Sequence, residues 1–292
     1  MIFVGYREKS AYVNGVNIHY RMGGSGPALL LLHGHPQTHV IWHKVASVLA
    51  KHFTVIAPDL RGYGDSDKPE PSENNIEHSK RMMAKDQRDL MASLGFNHFA
   101  ILAHDRGARV AHRLSLDYSA AVAKMILLDI APTLAMYEQT DHAFARAYWH
   151  WFFLIRPRPL PETLIEADPK LYLESVMAVR SAGMTPFTKE AFGEYLRCLT
   201  LPGSAVGICE DYRASAGIDL EHDRQDIEIG NKVSCPLLVL WGRDGAVAKS
   251  FEPLKEWEKV ATSVDGMSLP CGHYIPEEAP ELLLRQVMNF LT

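Results

Sequence analysis

Phe99-Ala100-Ile101-Leu102-Ala103-His104-Asp105-Arg106-Gly107-Ala108-Arg109 is the stretch on which the fold turns. A short apolar run, Phe99–Ala103, passes directly into a helical pattern, Ala108–Asp117. Between them lies the pattern small-x-acid-x-small, with Ala103 and Gly107 flanking Asp105. A strand that turns sharply into a helix needs small residues there, because larger side chains would clash. The turn lifts the central side chain to a helix N-terminus, where backbone N–H groups favour negative charge. A carboxylate so placed stays ionised and can attack carbon. Taken alone, Asp105 could equally be an ordinary helix N-cap, so its surroundings must decide.

Working outward, further apolar runs of strand length occur at Ala28–Leu32, Thr54–Ala57, Met125–Leu128 and Leu237–Trp241. Continuous apolar runs this short suit strands buried on both faces of a parallel sheet. Helical patterns alternate with them. Val40–Lys51 carries Ile41, Val45, Val48 and Leu49 at helical spacing, and Pro280–Leu291 repeats the pattern with Leu284, Val287, Met288 and Leu291. Ala11–Arg21 reads as an antiparallel hairpin turning at Asn14-Gly15. The alternation stops after Asp129, where helix formers, aromatics and prolines replace strand character until about Lys232. The reading is an α/β core of residues 1–132 and 233–292 with a helical cap, residues 133–232, inserted between two core strands.

Three more segments sit where such a core would use them. His33-Gly34-His35-Pro36 follows the first core strand, and Asp59-Leu60-Arg61-Gly62-Tyr63-Gly64-Asp65-Ser66 follows the next. Cys271-Gly272-His273 precedes the final helix. The chain order nucleophile, acid, histidine is that of the α/β-hydrolase fold, a mostly parallel sheet flanked by helices. In that order His273 is the base, although a surface-loop histidine is its bland alternative. The acid commonly follows a Trp-Gly-x-x segment; here Trp241-Gly242-Arg243-Asp244-Gly245 puts glycine at that position. Asp129, at the end of the preceding core strand, is the better candidate, with the out-of-register Asp244 as its rival. Backbone N–H groups of His35 and Arg106 are the expected oxyanion donors.

Composition narrows the function classes. A net charge of −5 without like-charge runs argues against a nucleic-acid binder. The longest apolar run is too short to span a bilayer, and no secretory signal is evident at the N-terminus. The four cysteines, Cys198, Cys209, Cys235 and Cys271, include no Cys-x-x-Cys pair and suit free thiols in a reducing cytoplasm. The histidines His33, His35, His39 and His43 lack a regular ligand motif, so neither a metal nor another cofactor is expected.

The chain resembles the fluoroacetate dehalogenases, a branch of the α/β-hydrolases near the haloalkane dehalogenases and epoxide hydrolases. The resemblance runs from the hairpin to the last helix. It is carried by His33-Gly34-His35-Pro36-Gln37-Thr38-His39, His104-Asp105-Arg106-Gly107-Ala108-Arg109, Trp149-His150-Trp151 and Cys209-Glu210-Asp211-Tyr212-Arg213. It implies that Asp105 is the nucleophile, Asp129 the acid and His273 the base. It further implies that Arg106 and Arg109 hold the carboxylate of a small haloacid, and that His150, Trp151 and Tyr212 receive the departing halide. The two arginines are i, i+3 on one helix, so both can face one ligand, and a guanidinium fork suits a carboxylate. Each could instead form a structural salt bridge to a core acid. A homodimer is also what the resemblance implies, while composition leaves no expectation of nucleic-acid or membrane partners. Two departures bear on the pocket: His35 stands where phenylalanine is common, and Val179 stands near where some relatives carry tryptophan.

The resulting expectation is hydrolysis of a 2-haloacid, fluoroacetate to glycolate and fluoride, through an aspartyl ester. An epoxide hydrolase would share the nucleophile but usually has two lid tyrosines, of which only Tyr212 is evident. A haloalkane dehalogenase often has tryptophan where Arg106 stands. A non-catalytic receptor on the same fold would have no need of Asp105, Asp129 and His273 together.

Overall fold

The computed structural model describes residues 2–292. Its centre is an eight-stranded sheet in the order β1-β2-β4-β3-β5-β6-β7-β8. β1 (Arg7–Val13) and β2 (Val16–Gly24) form the expected hairpin, with Val13 opposite Val16. Asn14 and Gly15 both have left-handed φ, 49° and 82°, as a tight two-residue turn between twisted strands requires. β2 pairs antiparallel with β4 (Thr54–Pro58). β3 (Ala28–Leu32), β4, β5 (Phe99–His104), β6 (Val122–Leu128), β7 (Leu237–Gly242) and β8 (Val264–Leu269) are mutually parallel.

Side-chain alternation explains the continuous apolar runs. Leu30, Leu32, Ile101 and Ala103 point into one core layer, and Leu29, Leu31 and Leu102 into the other. Both faces of the sheet are therefore covered, and each fully buried leucine contributes on the order of 2 kcal/mol. The Pro280–Leu291 helix buries Leu283 and Val287. The Val40–Lys51 segment departs from expectation. It is a 3₁₀ stretch, His39–Lys44, followed by one α-turn, Ala46–Leu49. The backbone N–H and imidazole of His39 are both tied to Asp59, at 2.8 and 2.9 Å, and Val45, at φ −115°, is the junction between the two short helices. The apolar face survives the change: Ile41, Val45 and Leu49 are fully buried.

Between β6 and β7 the described chain is helical, from Thr133–Glu138 through Ile218–Glu228. This stretch leaves the core at the C-terminal end of β6. Its Trp149–Leu154 and Ser204–Ser215 helices bring side chains onto the strand ends that carry Asp105 and Asp129. All four cysteines are free and buried. Among the described residues no helix is long and apolar enough to cross a membrane.

Candidate active site

The elbow is built by close approach. Asp105 sits between β5 and the Asp105–Asp117 helix at φ 48°, left-handed geometry that a non-glycine residue adopts only under constraint. A Cβ on Gly34 would lie 2.4 Å from the Asp105 Cβ, and one on Gly107 would lie 2.4 Å from the His33 carbonyl. Those two glycines let three backbone segments meet at the carboxylate. Asp105 is fully buried. Its Oδ1 accepts the His35 backbone N–H at 2.9 Å. The Arg106 N–H, the other expected donor, makes no hydrogen bond to this carboxylate. Oδ2 lies 3.2 Å from Arg180 Nη2 and 3.5 Å from His273 Nε2. Burial alone would raise the Asp105 carboxyl, but the imidazole of His273 and the Arg180 cation hold it well below the usual carboxylate range. It is an anion at neutral pH.

His273 Nδ1 lies 2.6 Å from Asp129 Oδ2, and the second Asp129 oxygen accepts the Gly242 N–H at 2.8 Å. Asp129 is also left-handed, at φ 51°. The structure sets Asp129 against His273, while the Asp244 carboxylate is exposed beside Arg243. The Trp241-Gly242 segment serves that acid through its backbone. A Cβ on Gly245 would lie 3.6 Å from both Asp129 oxygens and 3.2 Å from the Gly242 carbonyl, so a side chain at 245 and the Asp129 carboxylate reach toward the same place. Arg180 Nη2 hydrogen-bonds His273 Nε2. Because arginine only donates, Nε2 accepts and the ring proton is assigned to Nδ1, facing Asp129.

Three buried side chains that can each donate one hydrogen bond stand without partners: His150, at both ring nitrogens, Trp151, at Nε1, and Tyr212, at Oη. The His150 and Tyr212 rings are 6.0 Å apart, and those of Trp151 and Tyr212 6.4 Å. An unpaired buried donor costs about 1–3 kcal/mol, so a group of three points to an acceptor supplied by a ligand. Burial, with Arg180 and His35 adding to it, holds His150 neutral. His35 is likewise neutral: burial drives it down to about 3. Its Nε2 meets Tyr172 Oη at 2.9 Å, and its ring stacks 6.1 Å from His150. Its ring packs among those of Tyr63, Tyr172 and Tyr212.

The two arginines of the elbow helix differ. Arg106 sends Nε and Nη2 to the Asp211 carboxylate at 3.0 and 2.7 Å and lies 4.0 Å over the Tyr212 ring, leaving Nη1 unpartnered. Asp211 also takes Lys80 Nζ and, at 2.6 Å, Tyr63 Oη. Arg109 has no such acid. Its Nη1 donates to Thr133 Oγ1 at 2.9 Å and to the Ala131 carbonyl at 3.3 Å; its Nε is unpartnered, and its face lies 4.8 Å from the Trp151 ring. Burial and the nearby Arg106 lower the Arg109 pKa. A buried cation in that condition is suited to an incoming anion.

Reading the sequence missed Arg180 and the Asp211–Lys80 pair. Asp211 adjoins the highlighted Tyr212, so the signal was one residue away. Arg180 follows a residue of the opposite burial: Val179 is 66% exposed, whereas Arg180 is 6% exposed and turns inward. Of the four clustered histidines, only His39 shares a metal-like grouping, with His19 and Asp59. There both rings already bond to Asp59, at 3.1 and 2.9 Å.

The chain is similar to known proteins along its whole length. Residues 27–176 match the family model of the alpha/beta hydrolase fold. The chain is 42% identical over its whole length to a fluoroacetate dehalogenase from Burkholderia sp, covering 95% of that protein. It is 34% identical to a soluble epoxide hydrolase from Corynebacterium sp. (strain C12), over 96% of this chain and 95% of that one. The crystal structure of ALR0039 from Nostoc sp PCC 7120 superposes with a TM-score of 0.98 at 50% identity, covering 100% of this chain and 99% of that chain.

Proposed function

The chain belongs to the α/β-hydrolase family, on the branch of the fluoroacetate dehalogenases, and from that premise we propose that it is a haloacetate dehalogenase. Its substrate is a short 2-haloacid such as fluoroacetate, which it hydrolyses to glycolate and fluoride through an ester on Asp105. The observation that carries this reading is the juxtaposition of a buried, ionised Asp105 with three unpartnered donors, His150, Trp151 and Tyr212. Fluoride is small and strongly hydrated, and a dry site must replace that hydration with donors.

The oxygens of Asp105 divide the work. Oδ1 is held by the His35 N–H, so Oδ2 is the attacking atom. Oδ2 forms a bond to the halogen-bearing carbon as the carbon–halogen bond breaks, and halide leaves toward the three donors. Oδ1 is then the ester carbonyl oxygen, already at the donor where negative charge develops in the second step. His273 Nε2 takes a proton from water as that water attacks the ester carbonyl carbon, and Asp129 steadies the imidazolium. As the tetrahedral intermediate collapses, the bond between the carbonyl carbon and the former Oδ2 breaks, the imidazolium returns its proton to that departing oxygen, glycolate leaves with it, and Asp105 loses its own remaining proton to solvent. Arg109 holds the substrate carboxylate, with the free Nη1 of Arg106 as second donor. Residues 133–232 serve as a cap that excludes water.

Fluoride and chloride release from fluoroacetate and chloroacetate, beside diol formation from a styrene-oxide-type epoxide, tests the proposal. Halide release without diol formation is expected. Diol formation without halide release would make the protein an epoxide hydrolase using the same aspartate.

A further inference from the structure

Arg180 has no role in the chemistry just described, yet it touches both of its reacting groups. Its Nη2 lies 3.2 Å from Asp105 Oδ2 and also hydrogen-bonds His273 Nε2. That is where the hydrolytic water must stand, against Nε2 and within reach of the Asp105 ester. Its Nη1 reaches toward the His35 carbonyl at 3.5 Å, and its Nε is buried without a partner. Among the described residues Asp105 is its only ion-pair partner.

The surroundings hold its backbone and leave its side chain a path. The Arg180 carbonyl accepts the His273 N–H at 2.9 Å, and a Cβ on Gly272 would come within 2.8 Å of that carbonyl. The guanidinium lies between the Tyr148 and Tyr274 rings, 5.0 and 5.4 Å from their centroids. Outside it opens a cavity of about 640 Å³ lined by Arg180, Tyr148 and His273 together with Lys44 and Lys249. Asp105 does not line that cavity, so Arg180 stands between it and the nucleophile.

We infer that Arg180 is a substrate-sensing clamp: it pairs with Asp105 and caps His273 in the free enzyme, and transfers to the carboxylate of an arriving haloacid. The exchange follows from charge. Alkylation removes the negative charge of Asp105, and a buried cation deprived of its partner is costly. The substrate carboxylate supplies the replacement, and the same movement uncovers Nε2 for water. A neutral halogenated substrate offers Arg180 no such partner and leaves the base capped. The inference rests on the haloacid reading above and adds a third cation, from the inserted helices, as the element that makes turnover conditional on substrate charge.

The test compares chloroacetate with chloroacetamide on wild type, Arg180→Met and Arg180→Lys, and titrates each protein with glycolate. In Arg180→Met the selectivity for anion over amide should fall at least about tenfold, the size of one charge-assisted contact. Chloroacetate should lose mainly through a higher KM, chloroacetamide should be turned over faster than by wild type, and lysine should restore part of the selectivity. Glycolate should bind Arg180→Met at least about tenfold more weakly. Equal changes on both substrates, or unaltered glycolate affinity in a folded variant, would overturn the inference. If wild type releases no halide from either substrate, the haloacid reading fails, and the glycolate titration still decides whether Arg180 binds a carboxylate.

Discussion

Replacing Arg109 with methionine should separate substrate recognition from stability, because Arg109 and Arg106 are compensated so differently. Arg109 is a buried cation whose partners are a hydroxyl, a carbonyl and the Met136 sulfur, with no carboxylate. Removing it relieves a desolvated charge and leaves behind neutral acceptors rather than an unpaired carboxylate, so the melting temperature should hold or rise. Recognition should suffer instead. A charge-assisted contact is worth about 1.5–3 kcal/mol, which is about tenfold to a hundredfold in kcat/KM for fluoroacetate. Fluoroacetamide, lacking the charge, should lose less. Arg106→Met should do the opposite to stability: it strips Asp211 of two hydrogen bonds in a fully buried network. Breaking a buried pair costs about 3–5 kcal/mol, a fall of several degrees. The assay is kcat/KM on both substrates with thermal unfolding of both variants. Equal losses on the acid and the amide, or a melting point that falls as far for Arg109→Met as for Arg106→Met, would refute the division of labour.

Other outcomes follow from the same geometry. His273→Ala should still release one halide per site and then stop, with a carboxymethyl ester retained on Asp105; intact-protein mass spectrometry after mixing with chloroacetate reads it, and a variant with neither burst nor added mass would remove His273 from the second step. Trp151→Phe deletes one unpartnered donor and should depress fluoroacetate turnover more than chloroacetate turnover, since fluoride depends most on donors; the ratio of the two halide-release rates is the readout. Glu277 is buried, and burial raises its pKa to about 8 despite Tyr195, Lys44 and Gln37. Its folded pKa lies above its unfolded value, so the folded state binds the extra proton and stability declines from about pH 4.5 to pH 8 as that proton is lost. Glu277→Gln should therefore gain Tm relative to wild type at pH 9 and gain little at pH 5; the same difference at both values would mean that ionisation is not the cause.

The parts of the molecule legible in its sequence were those governed by local rules. The apolar runs that became β3 to β7 had to be buried on both faces, and the small residues beside Asp105 are what a left-handed elbow at φ 48° demands. The Asn14-Gly15 turn was equally local. The Val40–Lys51 helix was misjudged because its apolar spacing says nothing of the distant Asp59, whose hydrogen bonds to His39 turn the segment into a 3₁₀ stretch. The same limit applies in the site. Asp211 and Lys80 are 131 residues apart, and no spacing rule joins them. Arg180 and Val179 are adjacent in a stretch without amphipathic period, so which of the two faces Asp105 is decided only by the packing of Tyr148, Tyr274 and the His273 loop.

The central claim is that Asp105 Oδ2, and not water, makes the first bond to the substrate carbon. A single turnover in heavy-oxygen water, with enzyme in excess over fluoroacetate, tests it most directly. Water attacks the ester carbonyl, so its oxygen should remain in the Asp105 carboxylate, found by mass spectrometry of the peptide that contains it, and the first glycolate released should be unlabelled. Labelled glycolate from the first turnover, with no label in Asp105, would mean that water attacks the substrate directly and would contradict the account.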